Sequence, residues 1–276
     1  MNKNISIIGG DLRTVYLVKL LKNEGFLLYT YGIEKADLNA DYLNITKCEN
    51  LKQCIESSNF IISAIPFSKD NIYVNTGFSN NKIRIDEIAK IIDNKTFIAG
   101  NIPNIFYQSI ENKHNTEIID IMDSEELAIL NSISTAEGAI KIAIENTNFT
   151  IHGSNVLILG FGRIGKVLAK MLDGIGAKVF CEARKKEDLA WIEAYRYNKV
   201  NLTELENNLG IYDIIFNTIP YEILNKNKLK LLKKEVLVID LASKPGGVDK
   251  KCAEEMKIKV IWALGLPRKN CSIKCS

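Results

Sequence analysis

Short apolar runs alternate with helix-period stretches along the whole chain. The clearest runs occupy 5–8, 60–65, 96–99, 117–121, 156–159, 178–181, 213–217, 236–239 and 259–262. Most are apolar in unbroken stretches of two to four residues rather than alternating, the pattern of strands buried on both faces of a sheet. Strand–helix–strand order over such a length predicts parallel sheets with crossover helices. The pattern also repeats. Ile7-Ile8-Gly9-Gly10 is followed by Phe60-Ile61-Ile62-Ser63-Ala64-Ile65-Pro66, and Ile158-Leu159-Gly160 by Ile214-Ile215-Phe216-Asn217-Thr218-Ile219-Pro220. Gly9 precedes Pro66 by 57 positions and Gly160 precedes Pro220 by 60, so two related α/β units are expected.

Between the halves, 124–146 reads as one long helix. Asp123 and Glu126 have capping-box spacing, and Leu127, Leu130, Ile133, Ile140 and Ile144 form an apolar stripe at helical intervals. Gly138 interrupts that helix at a cost of about 1 kcal/mol, so close packing or a ligand is expected beside it. Glu137 is a candidate acid/base or ribose contact, or a plain surface glutamate. The chain divides on this reading into 1–123, a substrate or catalytic domain; 124–150, a linking helix and loop; 151–267, a dinucleotide-binding domain; and 268–276, an atypical tail.

The glycine pattern carries the chemistry. Gly160-Phe161-Gly162-Arg163-Ile164-Gly165 follows a strand and opens a helix, the context that gives G-x-G-x-x-G its meaning. Gly160 serves the tight turn, Gly162 the approach of a pyrophosphate, and Gly165 the helix–strand contact. Unpaired N–H groups of the helix start, from Arg163 and Ile164 onward, would face the phosphates. The fold class predicted is α/β: two Rossmann-like, doubly wound parallel-sheet domains joined by a long helix. An NAD site places an acid at the tip of the next strand. Here the tip reads Ala183, then Arg184 and Lys185, which suits the 2′-phosphate of NADP. Glu182 lies one residue earlier, and a one-residue slip would favour NAD.

The first half offers Gly9-Gly10-Asp11-Leu12-Arg13 at the same place, without the third glycine. That is a poor dinucleotide site, but Arg13 at a helix start suits a carboxylate, or it is an ordinary turn arginine. Ligands bind beyond strand carboxyl ends, which adds Ser63 and Asn101 as substrate candidates. In the second half it adds Asn217, Thr218, Pro220 and Ser243 as cofactor candidates. Lys244, in the polar glycine-rich loop 240–247, is a candidate for pairing an anionic substrate.

Composition narrows the classes. Of 276 residues, 46% are hydrophobic and 25% charged, the balance of an ordinary globular chain. Net charge is +3, too small a surplus to argue for nucleic acid. No apolar run reaches the ~18 residues of a membrane span, and the N-terminus lacks a signal h-region, so a cytoplasmic protein is expected. The cysteines (48, 54, 181, 252, 271 and 275) contain no C-x-x-C pair. With only His114 and His152 to add imidazole, no metal site and reduced thiols are expected.

Several separated motifs together resemble the A-subunit family of dipicolinate synthase from spore-forming bacteria. They are Gly9-Gly10-Asp11-x-Arg13, 131–138 (Asn-Ser-Ile-Ser-Thr-Ala-Glu-Gly), 150–154 (Thr-Ile-His-Gly-Ser), Asn217-Thr-Ile-Pro220 and 240–247 (Asp-Leu-Ala-Ser-Lys-Pro-Gly-Gly). The resemblance runs from about residue 4 to Pro267. It implies a sporulation enzyme of the mother-cell cytoplasm, an oligomer working with the flavoprotein-like B subunit of dipicolinate synthase. It also implies NAD(P)-dependent oxidation of a dihydrodipicolinate-type cyclic dicarboxylate to pyridine-2,6-dicarboxylate. Arg13 and Lys244 would then hold carboxylates and Glu137 would serve as base.

After Pro267 family members continue Gly-Lys-Ile/Val-Ala-Pro, whereas this chain reads Arg268-Lys-Asn-Cys-Ser. A one-base shift in an adenine run converts one reading into the other, so a frameshift is expected there. Two alternatives stand beside this reading. A 2-hydroxyacid dehydrogenase usually needs a late histidine, and none follows His152. A non-catalytic dinucleotide-binding scaffold would show no turnover.

Overall fold

The computed structural model describes residues 3–38, 44–112 and 115–266. His114, Pro267 and the tail 268–276, with Cys271 and Cys275, lie outside them. The chain divides into Met1–Glu125 and Glu126–Ser276.

Unit 1 is built from β1 (Asn4–Ile8), α1 (Leu12–Asn23), β2 (Leu27–Tyr31), β3 (Ile45–Lys47), α2 (Leu51–Glu56), β4 (Phe60–Ser63), α3 (Ile85–Ile91), β5 (Thr96–Ala99), α4 (Asn104–Ser109) and β6 (Glu117–Asp120). Unit 2 follows with α5 (Glu125–Asn146), β7 (Asn155–Leu159), α6 (Arg163–Ile175), β8 (Lys178–Glu182), α7 (Lys186–Ala194), β9 (Asn198–Val200), α8 (Leu205–Asn208), β10 (Ile214–Asn217), α9 (Lys226–Leu229), β11 (Leu237–Asp240), α10 (Lys250–Glu255) and β12 (Lys259–Trp262).

The repeat read in the sequence is a repeat of topology. One sheet runs β3-β2-β1-β4-β5-β6, the other β9-β8-β7-β10-β11-β12, with all neighbours parallel. In both, the strand order reverses beside the first strand, which opens a crevice at the carboxyl ends. β10 and β11 are buried at every position, because helices cover both sheet faces. Unit 1 packs Phe67, Phe97 and Phe106 around one another, with centroids 5.0–5.2 Å apart.

Three strands were not legible in the sequence. β2 carries tyrosines at alternate places, and β3 and β9 are three-residue edge strands with exposed polar positions. The long helix also differs. Residues 121–123 form a 3-10 turn and α5 starts at Glu125, so Asp123 does not cap it. The expected stripe is largely outside: Leu130 is 53% exposed, Ile133 41% and Ile144 59%. α5 instead buries Ser132, Ala136, Gly138, Ala139, Ile140 and Ala143. Small side chains let its backbone come close to the second unit's core, where Ala136, Ala139, Ile140 and Ala143 join Leu168 and Leu172. A Cβ on Gly138 would stand 3.0 Å from Leu266, which is why glycine sits in mid-helix. One 18-residue window of α5 has mean hydropathy 1.3 and matches a membrane span in length. It nevertheless carries Glu137 and Lys141 and belongs to that core.

Candidate functional site

The cradle lies at the carboxyl end of β7. Gly160 has φ +92°, and a Cβ there would meet Thr218 Oγ1 at 2.5 Å. A Cβ on Gly165 would land on the Gly160 carbonyl oxygen. Gly162, at the start of α6, has nothing within 4 Å of its Cβ position, and no side chain caps the helix. A helix start that no side chain caps, its positive end and the open space in front of it fit a pyrophosphate. Arg163 and Ile164 form the first helical positions, with Arg163 exposed.

Unit 1 uses the same turn differently. Asp11 stands where Gly162 stands in unit 2, and its carboxylate caps α1 by accepting from the Arg13 amide at 3.0 Å. The segment 74–77 lies on the glycines: the Gly10 amide donates to Asn75 O at 2.7 Å and the Gly77 amide to Gly10 O at 2.8 Å. A capping carboxylate and a crossing backbone leave no place for phosphates.

Arg13 does not present a free fork. Its Nε donates to Asp11 Oδ1 at 3.0 Å, its Nη2 to Asp11 Oδ2 at 2.8 Å, and Nη2 also donates to the Ile65 carbonyl. A ligand carboxylate would have to exchange with Asp11. Ser63 is buried and its hydroxyl donates to Ile8 O at 2.8 Å, so it ties β4 to β1 rather than facing a ligand. Asn101 is exposed at φ +55°, its amide held by Asp120 at 2.9 Å. The same Asp120 carboxylate accepts from Ile102 and Met122, an organiser the sequence reading missed.

In unit 2 the loops after β10 and β11 share one buried network. Asp240 accepts from Asn217 Nδ2 at 2.8 Å, from the Ala242 amide at 3.1 Å and from the Gly247 amide at 2.8 Å. Asn217 is fully buried, with its amide oxygen and nitrogen also bonded to Ile219. Its side chain therefore shapes the loop instead of contacting a cofactor, and the Thr218 hydroxyl donates to Leu159 and Gly160 carbonyls in the same sense. Trp262 Nε1 braces the far side through Ala242 O at 3.0 Å. Ser243, Lys244 and Pro220 remain exposed at the loop tips.

The tip of β8 completes the crevice. Arg184 and Lys185 are exposed there, and the Arg184 guanidinium lies 5.2 Å from the Tyr221 ring centroid. Tyr221 was missed in the sequence because its partner is 37 positions away. Cys181 is buried, which pushes its thiol up and leaves it inert. Glu182 is 1% exposed, and burial raises its carboxyl above the ordinary glutamate value. Glu137 is elsewhere. It is exposed on α5 and borders a groove of about 580 Å³ with Ile140, Ile144, Met171 and Ile175. His152 is structural, its Nδ1 at 3.1 Å from Ile175 O in the last turn of α6.

Fold and cradle define a two-domain Rossmann-type, NAD(P)-dependent oxidoreductase. Residues 132–255 match the D-isomer specific 2-hydroxyacid dehydrogenase NAD-binding domain, and residues 4–122 match the N-terminal domain of the dipicolinate synthase A subunit. The chain is 32% identical to the dipicolinate synthase A subunit of Bacillus subtilis over 95% of its length and 88% of the relative's. The crystal structure of that Bacillus subtilis protein superimposes with a TM-score of 0.84 at 32% identity, covering 97% of this chain and 89% of that one. The A-subunit structure from Bacillus halodurans gives 0.82 at 32% identity, covering 95% and 89%. The chain belongs to the A-subunit family of dipicolinate synthase.

Proposed function

We propose that this chain is the A subunit of a dipicolinate synthase. It oxidises a dihydrodipicolinate-type cyclic dicarboxylate to pyridine-2,6-dicarboxylate, with NADP⁺ as acceptor, alongside a B subunit in the mother-cell cytoplasm of a sporulating cell. The observation that carries this reading is the 32% identity spread over 95% of the chain, both units included. Bound NADP⁺ supplies the hydride acceptor. The ring would give up one hydride to NADP⁺ and one proton to a base or water, with water eliminated before or after, and aromatisation drives the step.

The chain's own part is binding, orientation and exclusion of water. The α6 amides hold the pyrophosphate. The Asn217–Asp240 network fixes the loop that carries Ser243 and Lys244, and Lys244 pairs a substrate carboxylate. In unit 1, Arg13 takes a carboxylate by exchange with Asp11. Glu137 borders a separate groove on α5, beside the far end of α6, so the role of base expected for it is not assigned and the proton passes to water.

The test mixes the chain, with and without a B subunit, with the product of dihydrodipicolinate synthase and either NADP⁺ or NAD⁺. Reduced nicotinamide and pyridine-dicarboxylate are expected to appear together, faster with NADP⁺. Cofactor binding without turnover would overturn the enzymatic role.

The cofactor preference has its own test. Arg184 and Lys185 follow the strand tip, and a guanidinium pairs phosphate through a planar fork. Arg184→Ala is expected to weaken NADP⁺ by about 10- to 100-fold, the size of a lost charge-assisted pair. NAD⁺ should change less than about twofold. Calorimetric titration of both cofactors reads the difference, and an equal loss for each would remove Arg184 from phosphate recognition.

A further inference from the structure

Helix α5 is apolar on two opposite sides, and the core of unit 2 uses only one of them. The inner side carries Ala136, Ala139 and Ala143, packed with Leu168 and Leu172. The outer side carries Leu130, Ile133 and Ile144, all exposed. With Glu137 and Ile140 they follow one another at alternating intervals of three and four, the spacing of a helix seam that packs against another helix. A helix apolar all round belongs inside an assembly, and a contiguous exposed apolar stripe marks a contact surface.

The stripe itself shows what covers it, because it reads nearly the same in both directions. Leu130 lies seven positions before Glu137 and Ile144 seven after; Ile133 lies four before and Ile140 three after. An interface between two copies must be self-complementary, with each residue facing the mate of its own mate. A two-fold axis through Glu137 meets that condition, since it sets Leu130 against Ile144 of the second copy and Ile133 against Ile140. Shape follows the same symmetry. The C-terminal half of α5 and the end of α6 enclose the groove of about 580 Å³, with Ile140, Ile144, Met171 and Ile175 along it. The N-terminal half presents Ile129, Leu130 and Ile133 as exposed side chains. The axis lays the protruding half of each copy in the groove of the other. Charge agrees as well. Glu137 stands at the axis and Lys141 one turn on, at the groove, so the two carboxylates are flanked by the two Lys141 ammonium groups.

We propose that the outer face of α5 is the two-fold interface of a homodimer of this chain, the two helices running antiparallel about Glu137. The proposal rests on unit 2 alone and is independent of the reaction and of the cofactor preference.

Sedimentation velocity of the full chain tests it. The native chain is expected to sediment at twice the chain mass at micromolar concentration. Leu130→Glu and Ile144→Glu each place an acid in the groove contact and are expected to weaken the dimer about 100-fold, giving monomers where the native chain is dimeric. Both positions are exposed, so circular dichroism and dinucleotide affinity should stay native. Lys141→Glu gathers acids at the axis and should weaken the dimer about tenfold. Adding Glu137→Lys to it restores alternating charge and should restore the dimer, a rescue that simple damage to the helix would not allow. A mixture of Leu130→Cys and Ile144→Cys chains should form, on oxidation, a disulfide between positions 130 and 144, identified by peptide mass. A native chain that stays monomeric at high micromolar concentration would overturn the proposal, also if it binds a B subunit through these residues. So would a dimer that survives both Leu130→Glu and Ile144→Glu, because the interface would then lie elsewhere. Cross-linking of Leu130→Cys chains to one another would make the pairing parallel and overturn the two-fold register.

Discussion

Gly165→Ala is expected to destabilise the protein by about 3 kcal/mol, whereas the same added methyl in Gly162→Ala should cost less than about 1 kcal/mol and remove cofactor binding. The two positions are three residues apart in one motif, yet their surroundings are opposite. At Gly165 a Cβ would overlap the van der Waals sphere of the Gly160 carbonyl oxygen and approach the Gly160 carbonyl carbon at 3.1 Å. Both atoms are backbone and cannot swing aside, so α6 must lift from β7. At Gly162 the backbone sits at φ −78°, ψ −161°, open to any residue, and nothing lies within 4 Å. The free space there is what lets a pyrophosphate reach the α6 amides. Urea denaturation should show Gly165→Ala with a much lower midpoint and Gly162→Ala close to the native one. Calorimetry should find dinucleotide affinity down about 100-fold in Gly162→Ala, roughly 2.7 kcal/mol. Native-like affinity in Gly162→Ala would mean that the phosphates do not approach this turn.

Asp240→Asn is expected to cost about 2–4 kcal/mol although it changes no volume. Asp240 is fully buried and acts only as an acceptor, receiving the Asn217 side chain and the Ala242 amide on one oxygen and the Gly247 amide on the other. An asparagine must turn an NH₂ group toward one of those donors, which leaves a buried N–H facing an N–H. The network also ties the loop after β10 to the loop after β11, so its loss should loosen both. Hydrogen exchange is expected to accelerate at the Ala242 and Gly247 amides, with strand amides of β10 and β11 less affected. A double-mutant cycle between Asn217→Ala and Asp240→Ala should give a coupling of about 1–2 kcal/mol. Additive effects would show that the two side chains do not act as one unit.

Much of this was legible in order along the chain. The strand runs were visible because central parallel strands covered on both faces are largely apolar and the edge strands β6 and β12 still carry adjacent apolar residues, and the echo from Gly9–Pro66 to Gly160–Pro220 is the echo of two sheets with the same strand order. Edge strands β3 and β9 escaped because short, half-solvated strands need no apolar run. The stripe on α5 misled for a related reason. Its bulky residues marked helical period correctly, but the close-packed side is the alanine side, since a helix seated tightly on a core selects small residues.

The sequence by itself determined the doubly wound architecture and the position of the glycine cradle at 160–165. Both are written in local terms: periodicity, strand length, and the spacing of residues without a Cβ. Only tertiary structure decided which of the two glycine turns is open. Residues 74–77 close the first by bonding across more than sixty positions to Gly10, and no local pattern announces that. Tertiary structure also decided that Arg13 is held by Asp11 and the Ile65 carbonyl, and that Asn217 is spent on Asp240. It also buried the Glu182 carboxyl, which raises it above the ordinary glutamate value. Hydrogen-bond satisfaction is a property of a neighbourhood in space, so residue types can nominate a polar group for a site, but only the folded chain shows whether its partners are already taken.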